Sequence, residues 1–445
     1  MKLSPLARSI SAGTLAVALS IPMAAQAAFI EDSKASLELR NFYMNRDFRH
    51  DDDKHEKMNP GKYTAGDKRQ SKAEEWAQGF LLRYESGFTE GTVGVGVDAY
   101  GFTGFKLDSG GGTAETGLLL PKNHKGNIPS SYGELGETFK ARLSKNTLKA
   151  GTLMPKLPTV SSGDGRLIPQ TFTGVHVNSQ ELENLTVDIG RLGRMNQRNS
   201  TNNAPIIFNS FSGDKDKSKR KNTSTRSNPN ETSKFDFAGI NYTWGETGLS
   251  TGYNFAKFDG AYKQHIVNGV YTLQLADNQS LKTDLRYAKT SEDSKSGIDN
   301  KALSGMITYK LGHNSFGVGY QKMSGDTGYA YIELVDPFLP NYVQIRDFAA
   351  TDEKSWQARY DYNFAGLGIP GLNLMTRYVK GNNIYMAANQ SRGKEWERDT
   401  DIGYVFQDGA LKNLGVKWRN STLRSDISGK IDENRLIVSY TLPLM

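Results

Sequence analysis

The 445-residue chain holds 55 lysines and arginines against 48 acidic residues, and a net charge of +7 spread over both signs is too weak to argue for a nucleic-acid partner. Cysteine is absent and says nothing about redox compartment. Hydrophobic residues make up only 37%, low for a soluble core of this length, while 46 glycines, 21 tyrosines and 20 phenylalanines suit segments that face lipid on one side and water on the other.

The first 27 residues read as a secretory signal. Lys2 and Arg8 give a positive start, residues 10–23 an apolar stretch, and Ala25-Gln26-Ala27 a small-x-small cleavage site. The mature chain is then expected to begin at Ala28, with a formal charge of +5 (7 − 2). A retained anchor is the alternative, although the apolar stretch is short of the ~20 residues a spanning helix needs. No long uninterrupted apolar run follows, so no transmembrane helix is expected.

Alternation begins at once. Leu37 and Leu39 share one face, with Arg40 and Arg46 on the other. Trp76, Phe80, Leu82 and Tyr84 line the next segment, and Val93, Val95 and Val97 stand opposite Gly94, Gly96 and Asp98. The pattern returns at Phe139, Ala141, Leu143; at Leu185, Val187, Ile189; at Leu281, Leu285, Tyr287; and at Phe316, Val318, Tyr320. Trp356, Ala358, Tyr360, Tyr362 and Phe364 form the longest run, and Leu436, Val438, Tyr440 and Leu442 close the chain. A period of two is the primary strand signal, and runs ending in Trp, Tyr or Phe match the aromatic girdles of bilayer interfaces.

Turn signals set the count. Short ones fall near 87–91, 145–146, 180–184, 245–248, 276–280, 312–314, 365–371 and 408–413. The connections between them are mostly long and polar, near 49–73, 108–132, 196–233, 290–300, 325–351 and 381–395; the one near 259–262 is short. Eight short turns separate nine hairpins. The expectation is an all-β, transmembrane antiparallel barrel of eighteen strands over residues 28–445, with short periplasmic turns and longer outer loops. No sandwich or propeller repeat is present.

One connection breaks the pattern. Residues 151–172 carry Pro155, Pro158, Pro169 and a Gly-Asp-Gly at 163–165, so they cannot form an ordinary strand. They are also rich in apolar side chains, from Leu153 and Met154 to Ile168 and Phe172. The segment 153–172 is therefore expected to fold into the barrel as a constriction loop, with Arg166 and Asp164 at the narrowing; a surface loop with an incidental arginine is the plainer alternative. Parity puts Arg46, Arg142, Arg286, Arg359, Arg377, Lys417, Arg419 and Arg435 toward the lumen, along with Asp98, Asp188, Asp284 and Asp361. Lys417 and Arg419 flank Trp418, Arg435 lies on the last strand, and closure sets that strand beside Arg46. A contiguous basic wall of this kind can guide an anion without trapping it. The alternative is that each arginine simply pairs with a neighbouring carboxylate. The exposed basic tract 215–226 reads as a solvated loop, with lipopolysaccharide phosphate as a second reading.

Taken together, several segments resemble the OprD family of outer-membrane carboxylate channels, the specific porins of pseudomonads and related Gram-negative bacteria. They include LELRNFYMNRDF at 37–48, YESGFTEGTVGVGVDAYG at 84–101, GRLIPQTFTG at 165–174, SWQARYDYNFAGLGIPGL at 355–372, EWERDTDI at 395–402 and ENRLIVSYTL at 433–442. The resemblance covers essentially the whole mature chain. It implies an eighteen-stranded barrel, an inward-folded third loop, a basic ladder, and an acidic patch from the third and seventh loops. The ladder would fall on Arg46, Arg359, Arg377, Lys417 and Arg419, with Arg435 added from parity, and the acidic side on Asp164, Glu333, Asp336 and Asp347. QSKAEEWAQGF at 70–80 and DPFLPNYVQIRDF at 336–348 look more like the branch for cyclic and aromatic carboxylates than the branch for basic amino acids or small peptides. Implied partners are small organic carboxylates, outer-membrane lipid and lipopolysaccharide, and the barrel-assembly machinery, with a weak homotrimer left open. Two departures stand out. Lys417 replaces an expected arginine, losing the planar fork, and Met445 replaces the usual terminal aromatic.

Rival classes are an outer-membrane hydrolase, an energy-coupled receptor and a purely structural barrel. No cofactor, metal or catalytic group is expected, since the six histidines lie mostly in loops or turns and no GxSxG or metal-ligand spacing occurs. A receptor would need a plug domain before the first strand.

Overall fold

The computed structural model describes residues 29–49, 71–108, 118–121, 128–209, 215 and 230–445. The signal segment 1–27 and, apart from Lys215, the basic tract 215–226 lie outside the described residues. The described residues form eighteen barrel strands. In chain order they are β1 (Lys34–Asp47), β2 (Lys72–Glu85), β3 (Val93–Asp108), β4 (Ser131–Leu143), β5 (Asn146–Leu153), β6 (Thr171–Ser179), β7 (Leu185–Asn196), β8 (Phe235–Thr243) and β9 (Leu249–Phe258). The second half comprises β10 (Tyr262–Ala276), β11 (Gln279–Glu292), β12 (Asp299–Leu311), β13 (Asn314–Ser324), β14 (Lys354–Asn363), β15 (Leu372–Ile384), β16 (Gly393–Val405), β17 (Gly415–Ser425) and β18 (Gly429–Pro443).

Each strand pairs antiparallel with the next, and β18 pairs with β1 from Ser36 opposite Pro443 to Asp47 opposite Asp432. Closure pairs the two edges that an open sheet would leave exposed. All eight expected turns fall between consecutive strands on one end of the barrel. At the other end the β17–β18 connection, 426–428, is short, which the turn signals in the sequence did not mark.

Alternation places large apolar side chains on the outside without protein neighbours: Leu135 is 88% exposed and Val318 66%. Such a surface is stable only in lipid. The inside is less usual. Along β6–β13 many inward positions are apolar too, interspersed with buried polar ones such as Asn254, Gln264 and Gln321. Phe172, Leu192, Phe235, Phe237, Phe258 and Ile266 are buried in one core with Val160 of the third loop and Ile332, Val335 and Leu339 of the seventh. A second core joins inward-facing Phe42, Met44, Leu81, Phe102 and Tyr132 to Leu167 and Ile168 of the third loop. Long loops thus fill most of the cross-section from within, and open space is left against β14–β18 and β1.

Basic wall and inner loop

The third loop, 154–170, turns into the barrel because its apolar residues find partners only there. A two-residue ladder, Lys156–Leu157 with Val160–Ser161, folds its first half. Its second half lies against the β1–β4 wall, where Gly79 permits the approach: a Cβ there would meet the Leu167 carbonyl oxygen at 3.1 Å. Gly163 does the same against the seventh loop, since a Cβ would lie 2.3 Å from the Leu334 oxygen.

Arg40 of β1 holds the loop tip. Its Nη1 donates to Asp164 Oδ1 at 2.8 Å and to the Arg166 carbonyl at 2.7 Å. Arg166 donates from Nε to the Leu118 carbonyl at 3.0 Å and from Nη1 to the Gly165 carbonyl at 3.1 Å, and is 7% exposed. Burial, followed by the cations Arg435 and Arg198, pushes its pKa well below the ordinary arginine value. Arg198, in the loop after β7, is lowered by burial as well.

The strand register arranges the wall in two rows. In one, Arg359 of β14 stands opposite Arg377 of β15, which stands opposite Asp399 of β16; Ser421 of β17 and Glu433 of β18 lead on to Arg46 of β1. In the other, Asp401 faces Arg419 and Arg419 faces Arg435. Of the ladder expected from sequence, Arg359 and Arg377 are neighbours and so are Arg419 and Arg435. Asp399, Ser421 and Glu433 separate Arg377 from Arg46, Lys417 stands in neither row, and the arginines are paired. Arg46 Nε donates to Glu433 Oε2 at 2.7 Å and Arg435 Nε to Glu433 Oε1 at 2.6 Å. Arg377 and Arg419 donate to Asp399 and Asp401 at 2.8 and 2.9 Å. Arg359 is clasped by Asp361 through two bonds of 2.7 Å. The alternative weighed from sequence, a carboxylate for each wall arginine, holds for these five.

The seventh loop, 325–353, enters from the opposite side and is fastened by the same wall. The backbone N–H groups of Ile345 and Arg346 donate to Glu397 at 2.8 and 2.9 Å, and Arg435 Nη2 donates to the Gln344 carbonyl at 3.1 Å. Between the two loops and the wall lies a cavity of about 370 Å³. Arg46, Arg166, Arg377, Arg419 and Arg435 line it, joined by Lys156 and Arg198, which sequence reasoning missed. Asp164 and Asp336 are its lining carboxylates among the described residues. Neither Lys156, Arg166 nor Arg198 has a carboxylate within salt-bridge distance among the described residues, so the uncompensated charge sits on the loops.

Four expected site residues lie elsewhere. Lys417 opens into a second chamber of about 650 Å³ toward the short turns, with Lys310, His313 and Asp401. Arg359 is in register with Arg377 but does not line the 370 Å³ cavity. Glu333 is half-buried and accepts a bond from Gln197 Nε2 at 2.9 Å. Asp347 is 4% exposed and accepts from the Tyr331 hydroxyl at 2.6 Å; burial raises its pKa. The seventh loop has an apolar interior of its own, including Phe348 and Ala349, and folding around it draws Asp347 inward. Of the expected acidic side, Asp164 and Asp336 are both exposed at the cavity, Asp164 bound by Arg40 and Asp336 without a cationic partner among the described residues.

Residues 27–444 match the family described as outer membrane porin, OprD family. The chain belongs to that family. It is 37% identical over 442 residues to the porin-like protein GalP of Pseudomonas putida, covering 97% of each chain. Among solved structures, OpdQ of Pseudomonas aeruginosa is 54% identical with a TM-score of 0.81, over 94% of this chain and 100% of its own. A BenF-like porin from Pseudomonas fluorescens is 38% identical, also with a TM-score of 0.81 and the same coverage. The porin is thus a passive channel of the Gram-negative outer membrane through which small solutes pass, and not an enzyme.

Proposed function

We propose that this porin selects small organic carboxylates, with cyclic or aromatic ones favoured, and that Arg46, Arg377, Arg419 and Arg435 of the wall act with Arg166 of the inner loop as its guiding cations. The observation that carries the reading is the charge of the cavity between loops and wall: seven cationic side chains and two carboxylates line it. A carboxylate entering a cleft between protein walls gains more from each cation than in bulk water, because the effective dielectric is lower there. Tyr342 and Ile345 line the same cavity and offer an apolar surface to a ring. A basic amino acid would find a single unpaired carboxylate there, Asp336, against seven cations, since Asp164 is already bound by Arg40. Lys417 and Lys310 extend the positive lining toward the periplasm.

Uptake of benzoate and of a neutral sugar into liposomes tests the reading. Neutralising Arg377 and Arg419 together should slow benzoate at least several-fold and leave the sugar rate unchanged or raised. Equal losses for both solutes refute it.

A further inference from the structure

The outside of the barrel carries a charge pattern that conduction does not use. On β9–β14 an outward position at or one step inside the outer-loop end is a lysine on every strand; beyond it, on the same face, stand Ser291 on β11, Asp299 on β12 and Ser324 on β13. The register sets these lysines directly opposite one another: Lys257 and Lys263, Lys289 and Lys301, Lys322 and Lys354. His265 also stands opposite Lys289. Lys380 of β15, opposite Trp356, continues the series. Directly opposed like charges destabilise a sheet, because their Cβ atoms are only about 4.5–5.5 Å apart. Three such pairs in adjoining hairpins call for an anion between them.

Only the first pair has one among the described residues. Lys263 lies 3.3 Å and Lys257 3.6 Å from Asp293. Lys289, Lys301, Lys322, Lys354 and Lys380 are exposed, with no carboxylate in salt-bridge reach among the described residues. Elsewhere around the same rim some cations are neutralised, Lys72 by Glu74 and Arg49 and Arg424 by Asp432, while Lys394 on β16 extends the unpaired series among the described residues.

Depth identifies the medium. Two residues further along the same strands, toward mid-membrane, the outward side chains are Tyr287, Leu303, Tyr320, Trp356 and Tyr378. Trp356 and Tyr378 have ring centroids 5.6 Å apart, and Tyr378 and Trp396 5.7 Å. Such a girdle marks the boundary of the hydrocarbon, so the lysines stand at the depth of the head groups.

We propose that β10–β15 form a binding site for a phosphorylated glycolipid of the outer leaflet. One phosphate sits between Lys289 and Lys301 and another between Lys322 and Lys354, while the acyl chains lie along the aromatic and aliphatic surface below. Ammonium groups serve as point-charge phosphate ligands here, where side chains must adapt to a fluid partner.

Native mass spectrometry of the full porin in zwitterionic detergent, titrated with bisphosphorylated lipid A or its dephosphorylated form, tests this. The wild type should retain the bisphosphorylated lipid more than tenfold better, and K289Q/K301Q/K322Q/K354Q should lose that preference while the four-arginine counterpart keeps it. Thermal unfolding supplies a crossed readout. Without lipid A the glutamine variant should be as stable as the wild type or more so, since repulsion is gone; with bisphosphorylated lipid A the wild type should overtake it. Equal retention of both lipids by the wild type, or undiminished retention by the glutamine variant, overturns the proposal. So does equal stabilisation by inorganic phosphate, which would make the site one for a free anion. If the fourfold variant does not assemble, K289Q/K301Q and K322Q/K354Q are compared singly, and a failure of both to weaken the preference is equally fatal.

Discussion

Pairing changes what removal of a ladder arginine means. Arg419 donates to Asp401 at 2.9 Å, so R419Q deletes a cation and also uncovers a carboxylate. Take a solute carboxylate ~4 Å from the guanidinium and ~8 Å from Asp401: the pair attracts it by about 0.5 kcal/mol at bulk-water permittivity and about 2 kcal/mol at an effective value near 20. In R419Q only the repulsion of Asp401 remains, about 0.5–2 kcal/mol the other way, for a swing of about 1–4 kcal/mol. D401N added to R419Q removes that repulsion, so the double variant should recover about half of the lost interaction. Current block by benzoate in planar bilayers reads the series directly, as a dissociation constant that weakens about five-fold or more in R419Q and recovers part-way in the double variant. A double variant as weak as R419Q would refute the field argument and make the guanidinium's hydrogen bonds the whole of its contribution.

Shortening 155–169 should raise single-channel conductance several-fold and loosen selectivity; unchanged conductance in an intact barrel would put the loop outside the conduction path. Replacing Gly79 with valine pushes side-chain atoms into the Leu167 carbonyl, 3.1 Å from the Cβ position, and should displace the inner loop with a similar rise in conductance and a lower unfolding temperature. K417A alters the periplasmic chamber and not the 370 Å³ cavity, so it should weaken benzoate block less than R419Q does. Burial raises the pKa of Asp347 in the folded protein, so its destabilising cost is present at neutral pH and is lifted as pH falls through the folded value. D347N should therefore gain stability over the wild type at neutral pH, and the gain should shrink on acidification; a pH-independent difference would contradict this.

Strand number, turns and the inward parity of the arginines were legible in the sequence because alternation and turn residues are local. The inner loop was legible for a related reason: prolines bar it from the sheet while its apolar residues demand cover. The ion pairing was partly accessible. Glu395, Glu397, Asp399 and Asp401 alternate along β16 as strictly as any valine run, and Glu433 shares a face with Arg435. Parity applied to acids as well as bases finds them. Lys156 and Arg198 were not accessible, since a loop side chain has no parity and its direction follows from tertiary contacts. The same holds for Glu333 and Asp347, whose charge suggested solvent until the folded seventh loop enclosed them.

The apolar interior of the β6–β13 half has a consequence for biogenesis. Phe235 and Phe237 on β8 point into the barrel while Ile240 on the same strand points to lipid, and Ala256 and Phe258 on β9 likewise oppose Tyr253. Before closure these hairpins are sticky on both faces, unlike those of a barrel with a wet lumen. Their inner face finds cover only when the third and seventh loops fold onto it. The periplasmic precursor therefore exposes a surface that zipper-like β-association would exploit. Holding chaperones should be needed longest by this middle third of the chain, and amino-acid changes that loosen the loops should show first as lost assembly yield, before any change in the finished channel.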